Sequence, residues 1–261
     1  MQILIPVFTL GGLGLLFGIG LGLAAKKFCV ETDPRLEKIF SCLPGANCGA
    51  CGKAGCMGFA ESLIKGEVSI NECVVSEEET QERISQILKI SIEKKVKRTA
   101  VLHCQGGNKV KDRFSYVGIL DCRAANLLQA GQKACRFGCL GFGSCVLACP
   151  FGAISMGAEG LPIVDENKCR ACGRCVEVCP KKLFSLVDIS KHYFVGCKSL
   201  EFGKVVLDVC PVGCIGCGKC QKACPVGAIT VIENLATFDY KKCQDLGECF
   251  KACPTKAIVR R

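Results

Sequence analysis

The sequence predicts an α+β protein of small cysteine-rich domains strung behind one apolar N-terminal helix. Three observations carry this. Of 261 residues, 25 are cysteine, with no tryptophan and three tyrosines for an aromatic core. Residues 3–25, ILIPVFTLGGLGLLFGIGLGLAA, contain no charged side chain. From residue 139 onward, a loop of the form C-x-x-C-x-x-C-x-x-x-C-P, whole or lacking one cysteine, recurs four times.

At about 1.5 Å per helical residue the uncharged run is long enough to cross a bilayer core, so residues 1–27 read as a transmembrane anchor in contact with membrane lipid. A signal peptide would begin with basic residues and end in a cleavage site, whereas Lys26 and Lys27 follow this run. The positive-inside rule then places everything after them in the cytoplasm, giving a single-pass protein of the cytoplasmic membrane. That compartment is reducing, which turns the cysteines away from disulfides and toward thiolate ligands for metal. Gly14, Gly18 and Gly22 recur every fourth residue and smooth one helix face, where another helix could approach; a glycine-rich anchor alone would show the same spacing. One helix makes no transport pathway by itself.

Residues 30–98 read as a four-cysteine domain. Asp33 and Pro34 open a helix that should stop at Leu43–Pro44. Cys48, Cys51, Cys56 and the later Cys73 then follow, with glycines at 49, 52 and 55 that let backbone wrap closely round a bound group. MGFAESLIKGE reads as a short helix. Ser76 and Glu79 have capping-box spacing for an amphipathic helix with Ile84, Leu88, Ile92 and Val96 inward. Four cysteines here would suit a [4Fe–4S] cluster or zinc. Cys29 and Cys42 read as spare thiols.

The four loops fall into two pairs, at offsets of 30 and 29 residues: CLGFGSCVLACPFGAI with CRACGRCVEVCPKKLF, and CIGCGKCQKACPVGAI with CQDLGECFKACPTKAI. This is the arrangement of two-cluster bacterial ferredoxins, in which the fourth cysteine of each loop ligates the other loop's cluster. Two tandem bacterial-ferredoxin-like domains follow, 99–190 and 191–261, with small antiparallel strands starting at the GAI runs. Zinc ribbons rarely continue in this pattern. The complete loops assign Cys169, Cys172 and Cys175 with Cys149, and Cys214, Cys217 and Cys220 with Cys253.

The other two loops are each one cysteine short. Phe142 interrupts the first, leaving Cys139, Cys145 and Cys179, with Cys135 one turn upstream as the expected fourth ligand. Leu246 interrupts the last, leaving Cys243, Cys249 and Cys224. Cys210 or Cys197 could complete that site, Asp245 could, or it could hold [3Fe–4S]. At an offset of 75 residues Cys122 aligns with Cys197, Cys135 with Cys210 and Cys139 with Cys214. Cys104, Cys122, Cys197 and Cys210 are therefore candidate extra ligands, or plain buried thiols. The 19 cysteines from Cys104 to Cys253 allow at most four all-cysteine clusters, so about five [4Fe–4S] clusters are expected with the first domain, one of them [3Fe–4S] if Leu246 removes a ligand.

The formal charge of +10 does not by itself point to nucleic acid. Each tetracysteinyl cluster brings about −2, so roughly five would cancel it. Lys181, Lys182, Lys219, Lys222, Lys241 and Lys242 lie near the loops and could steer an acidic electron carrier. His103 and His192 have no metal spacing and read as surface or loop residues. No dinucleotide-binding glycine fingerprint and no Walker loop is present.

LPGANCGACGKAGC with its later cysteine resembles the four-cysteine [4Fe–4S] domain of the B subunit of the Rnf complex and, more loosely, corrinoid-protein activators. DCRAANLLQAGQKACRFGCLGFGSCVLACPFGAI is similar to that family's longer members; Cys42 and Leu246 depart from its pattern. The resemblance implies the electron-entry subunit of an ion-translocating ferredoxin:NAD⁺ oxidoreductase, with soluble ferredoxin and the other membrane and peripheral subunits as partners, and no complete catalytic site in this chain. Rival readings are a ferredoxin-like subunit of another membrane oxidoreductase and an iron–sulfur sensor or scaffold off any electron path.

Overall fold

The computed structural model describes residues 4–27, 33–91 and 96–261. Helix α1 (Leu4–Lys27) is, among the described residues, the one helix long and apolar enough to span a membrane, and its stretch Leu10–Lys27 is buried against nothing in the chain.

A small helical domain follows. In α2 (Pro34–Cys42) the Asp33 carboxylate accepts the Arg35 N–H at 2.8 Å, and Pro34 opens the first turn. Its Ile39 packs on Phe59 and Leu63 of α3 (Gly55–Ile64) and on Ile84 of α4 (Glu78–Leu88), all buried. The capping box lies elsewhere than Ser76 and Glu79: it closes the short 3₁₀ turn Ile70–Glu72, where Ser69 and Glu72 exchange bonds. The Ser76 hydroxyl instead donates to the Cys73 carbonyl at 3.1 Å and accepts from Gln81 at 3.0 Å. Helix α4 also stops sooner than its apolar pattern suggested, because Lys89 takes a left-handed conformation (φ 55). Ile92 lies outside the described residues and Val96 is exposed.

Two modules of one plan come next. In the first, β1 (Arg98–Leu102) precedes α5 (Cys122–Leu127), α6 (Ser144–Leu147), the hairpin β2 (Ile154–Met156) and β3 (Pro162–Val164), α7 (Arg174–Val178) and β4 (Phe184–Asp188). The second runs β5 (Tyr193–Val195), α8 (Lys204–Val209), α9 (Lys219–Ala223), β6 (Ile229–Ile232), β7 (Leu235–Phe238), α10 (Glu248–Ala252) and β8 (Ile258–Arg260). First and last strands pair antiparallel in each module, Arg98 opposite Asp188 and Tyr193 opposite Arg260, and each inner hairpin pairs with itself.

The modules meet along these outer strands. Val101 and Val187 of one pack on Phe194 of the other. His103, expected as a surface or loop residue, stands in the loop after β1 and lies part-buried here: its Nδ1–H donates to the Val195 carbonyl at 2.6 Å, and Nε2 accepts from the Ser185 hydroxyl at 2.6 Å. Burial lowers its pKa. The Gln105 amide reaches the Lys256 carbonyl at 2.9 Å, and Arg261 pairs with Glu166 at 3.3 Å. The helical domain is tied to the first module by Arg174 Nε on the Cys48 carbonyl at 3.1 Å and by Arg170 on Glu77 at 3.2 Å.

Candidate metal centres

The four repeated loops share a local build. Gly143, Gly173, Gly218 and Gly247 have φ of 72, 81, 71 and 79, a turn that glycine makes without strain, immediately before α6, α7, α9 and α10. These helices carry the buried third cysteines, Cys145, Cys175, Cys220 and Cys249. After the fourth cysteine and its proline the chain folds back, so that a main-chain N–H four residues on donates to that sulfur: Ala153 to Cys149 at 3.4 Å, Leu183 to Cys179 at 3.4 Å, Ala228 to Cys224 at 3.3 Å and Ala257 to Cys253 at 3.2 Å. Such bonds favour thiolate over thiol and fix the sulfur's direction.

Four small cavities, each about 20 Å³, collect the loop cysteines. One is lined by Cys149, Cys169, Cys172 and Cys175. Another gathers Cys214, Cys217, Cys220 and Cys253. The Phe142 loop sends Cys139 and Cys145 to a third, with Cys179 and Cys122. Cys135, expected there, does not line it. The fit of Cys122 has a visible cause. The Asp121 carboxylate caps α5 through the Arg123 and Ala124 N–H groups and accepts the Ser144 hydroxyl at 2.8 Å, while Ser144 accepts the Cys122 N–H at 2.8 Å. Cys122 is thereby fastened to the start of the helix that carries Cys145. Phe142 itself packs against Tyr116, six residues before Cys122, at 5.3 Å between ring centroids.

The fourth cavity holds Cys224, Cys243 and Cys249 with Asp245 and Leu246. Cys197 and Cys210 do not line it. The Asp245 carboxylate accepts the His192 N–H at 2.8 Å and lies 2.6 Å from Nδ1 of the same residue, which directs it toward that histidine. Cys104, Cys135, Cys197 and Cys210 instead line a larger cavity of about 130 Å³ between the modules, which Cys139 also borders.

In the helical domain Gly49, Gly52 and Gly55 have φ of 73, 75 and 82, and the Asn47 side chain accepts the Cys56 N–H at 2.8 Å. Cys51, Cys56 and Cys73 pack against the domain core, as does Cys42. Among the described residues no three cysteine, histidine, aspartate or glutamate side chains converge on a point fit for a single metal ion. With Zn–S bonds of about 2.3 Å, zinc ligands must crowd one point, whereas a cubane takes its ligands at separate corners.

Burial pushes the thiols of Cys139 and Cys175 up to about 12, and those of Cys145, Cys220 and Cys249 up to about 11. Thiolates in these places need a cationic centre beside them. Neighbouring sets are close enough for their charges to act on one another: Cys48 on Cys172, Cys145 on Cys175, Cys220 on Cys249. Lys219, Lys222, Lys241 and Lys242 are exposed near the second module's loops, as is Cys217. Lys181 is not free to steer a partner, since its ammonium donates to the Ala130 and Arg136 carbonyls, both at 2.5 Å.

A family model described as an Fe–S cluster domain matches residues 43–75, and one described as a 4Fe-4S dicluster domain matches 134–183, 168–228 and 213–257. The chain is 44% identical over 243 residues to the B subunit of the Na⁺-translocating ferredoxin:NAD⁺ oxidoreductase complex of Acetobacterium woodii, covering 93% of this chain and 73% of that protein. It is 41% identical to the B subunit of the ion-translocating oxidoreductase complex of Methanosarcina acetivorans, covering 97% and 96%. The chain belongs to the family of Rnf B subunits. A third member, from Clostridium ljungdahlii and named as proton-translocating, is 42% identical over 88% of this chain and 82% of its own length.

Proposed function

We propose that the chain is the electron-carrying subunit of a membrane-bound, ion-translocating ferredoxin:NAD⁺ oxidoreductase, taking electrons from reduced ferredoxin and passing them to membrane subunits. The observation that carries this is the set of cysteine-lined cavities, neighbouring in pairs within each module, with Cys48 of the helical domain in electrostatic reach of Cys172. Iron–sulfur clusters bound there would supply one-electron transfer without making or breaking bonds to substrate.

The chain's own residues hold and tune. Cys149, Cys169, Cys172 and Cys175 would take one cluster, Cys214, Cys217, Cys220 and Cys253 a second, and Cys122, Cys139, Cys145 and Cys179 a third. Cys48, Cys51, Cys56 and Cys73 would hold a fourth. Cys224, Cys243 and Cys249 would hold a fifth as [3Fe–4S], or as [4Fe–4S] with Asp245. The main-chain donors on Cys149, Cys179, Cys224 and Cys253 would set potentials. Exposed Lys219, Lys222, Lys241 and Lys242 would attract an acidic ferredoxin to the second module. Helix α1 would anchor the chain in the membrane by a single pass, with the domains on the cytoplasmic side, and keep the helical domain beside its membrane partners.

The test is anaerobic purification followed by iron and sulfide analysis and by EPR before and after addition of reduced ferredoxin. Iron–sulfur signals that appear within the turnover time of the complex support the reading. Clusters present but inert to ferredoxin would make the chain a sensor or scaffold, and bound zinc in place of iron would end the proposal.

A further inference from the structure

The cavity between the modules belongs to none of the loop ligand sets. Two cysteines of each module reach it, Cys104 with Cys135 and Cys197 with Cys210. These pairs are equivalent in the fold. Cys104 follows β1 and Cys197 follows β5, the strands that pair with the last strand of their modules. Cys135 and Cys210 each stand four residues before the first loop cysteine, Cys139 and Cys214.

Their main-chain donors repeat as well. The Cys139 N–H points at the Cys104 sulfur, 3.5 Å away, and the Cys214 N–H serves Cys197. The N–H two residues on serves each member of the other pair, Phe137 for Cys135 and Val212 for Cys210. The sulfurs face a common space: a Cβ placed on Gly106 would sit 3.5 Å from the Cys210 sulfur and 3.8 Å from that of Cys104. Arg136 and Lys198 border the same cavity with one carboxylate, Glu201, and Lys133 borders it while paired with Asp112 at 3.1 Å. That basic lining suits an anionic group such as a tetracysteinyl [4Fe–4S] cluster, which carries about −2. Cys139 also borders the space, but its counterpart Cys214 lines a loop cavity with Cys217, Cys220 and Cys253, and Cys139 does so with Cys122, Cys145 and Cys179.

We propose that Cys104, Cys135, Cys197 and Cys210 hold one further [4Fe–4S] cluster across the junction of the two modules, an inference that rests on the iron–sulfur reading above. Half of its ligands come from each module, so the site also staples them together. It lies between the Cys139 set and the Cys214 set, where the line of loop sites is otherwise broken. It also occupies Cys197 and Cys210, which leaves the Leu246 site with three cysteines.

Two measurements on the full chain decide it. Anaerobically purified protein should contain about 23 or 24 irons if the junction is loaded, and about 19 or 20 if it is not; the lower count would overturn the proposal. Cys104→Ala with Cys197→Ala should then lose about four irons and four sulfides relative to the unmodified chain. A Cys169→Ala, Cys172→Ala chain serves as the control. If the junction variant keeps all its iron while the control loses about four, the junction site falls and the iron–sulfur reading stands. If neither unmodified protein nor control contains iron, both fall together. Should the junction variant fail to fold, the iron count of the unmodified chain decides.

Discussion

Removing the Cys122 thiol should convert the Phe142 site to a three-cysteine site. Cys122→Ala is expected to cost about one iron and to increase the [3Fe–4S] EPR signal of the oxidised protein over that of the unmodified chain, because Cys139, Cys145 and Cys179 remain on the cavity. Adding Phe142→Cys to the same chain restores the missing loop position and should remove that increase; an unchanged spectrum in Cys122→Ala would remove Cys122 from the ligand set. The converse applies at the other interrupted loop: if it holds [3Fe–4S], Leu246→Cys should gain about one iron and erase that signal, and if Asp245 completes a [4Fe–4S] cluster, the iron count should stay constant. Both interruptions are legible in sequence, because a loop missing one cysteine is a local fact. Its replacement is not. Cys135 is near Cys139 in sequence, and the offset of 75 aligns Cys122 with Cys197, yet strand pairing makes Cys104 the counterpart of Cys197. Cys122 is placed by the bond from Ser144 to its neighbour Asp121, across 23 positions.

At the level of elements, what stands in the local pattern is what sequence could read. Asp33–Pro34 starts α2, and the runs after Cys149, Cys224 and Cys253 begin strands, because capping and the turn after proline act within a few residues. The start of α4 was harder, since Ser69–Glu72 and Ser76–Glu79 share one spacing and only the first closes a box. Strands β1 and β5 have no local partner at all; each pairs with the far end of its module. Within the helical domain, Phe59 is the keystone, about 1% exposed where α2, α3 and α4 meet. Phe59→Ala should therefore destabilise that domain by about 3–5 kcal/mol, read as an earlier midpoint in urea of both helix loss and cluster bleaching. A midpoint shift confined to bleaching would mean that metal, not this side chain, holds the helices together.

Across the whole molecule, the line of sites is only as good as the joint between the helical domain and the first module. That joint rests on Arg174 against the Cys48 carbonyl and Arg170 against Glu77, at 3.1 and 3.2 Å, and it brings Cys48 within electrostatic reach of Cys172. The Arg170–Glu77 pair is exposed on both sides and is worth roughly 0.2–1 kcal/mol, whereas a charged donor on a carbonyl contributes about 1.5–3 kcal/mol. Arg170→Ala with Arg174→Ala touches no cysteine, so iron per chain should stay constant. Docking should loosen, however, and a loss of about 1.4 kcal/mol lowers the docked fraction up to tenfold. Rapid-freeze EPR after mixing with reduced ferredoxin should then show the second module reduced on time and the helical domain late, with the lag growing as salt screens what remains of the contact. Simultaneous reduction in the double variant would mean that electrons reach the helical domain by another route, and that this joint only positions the domain.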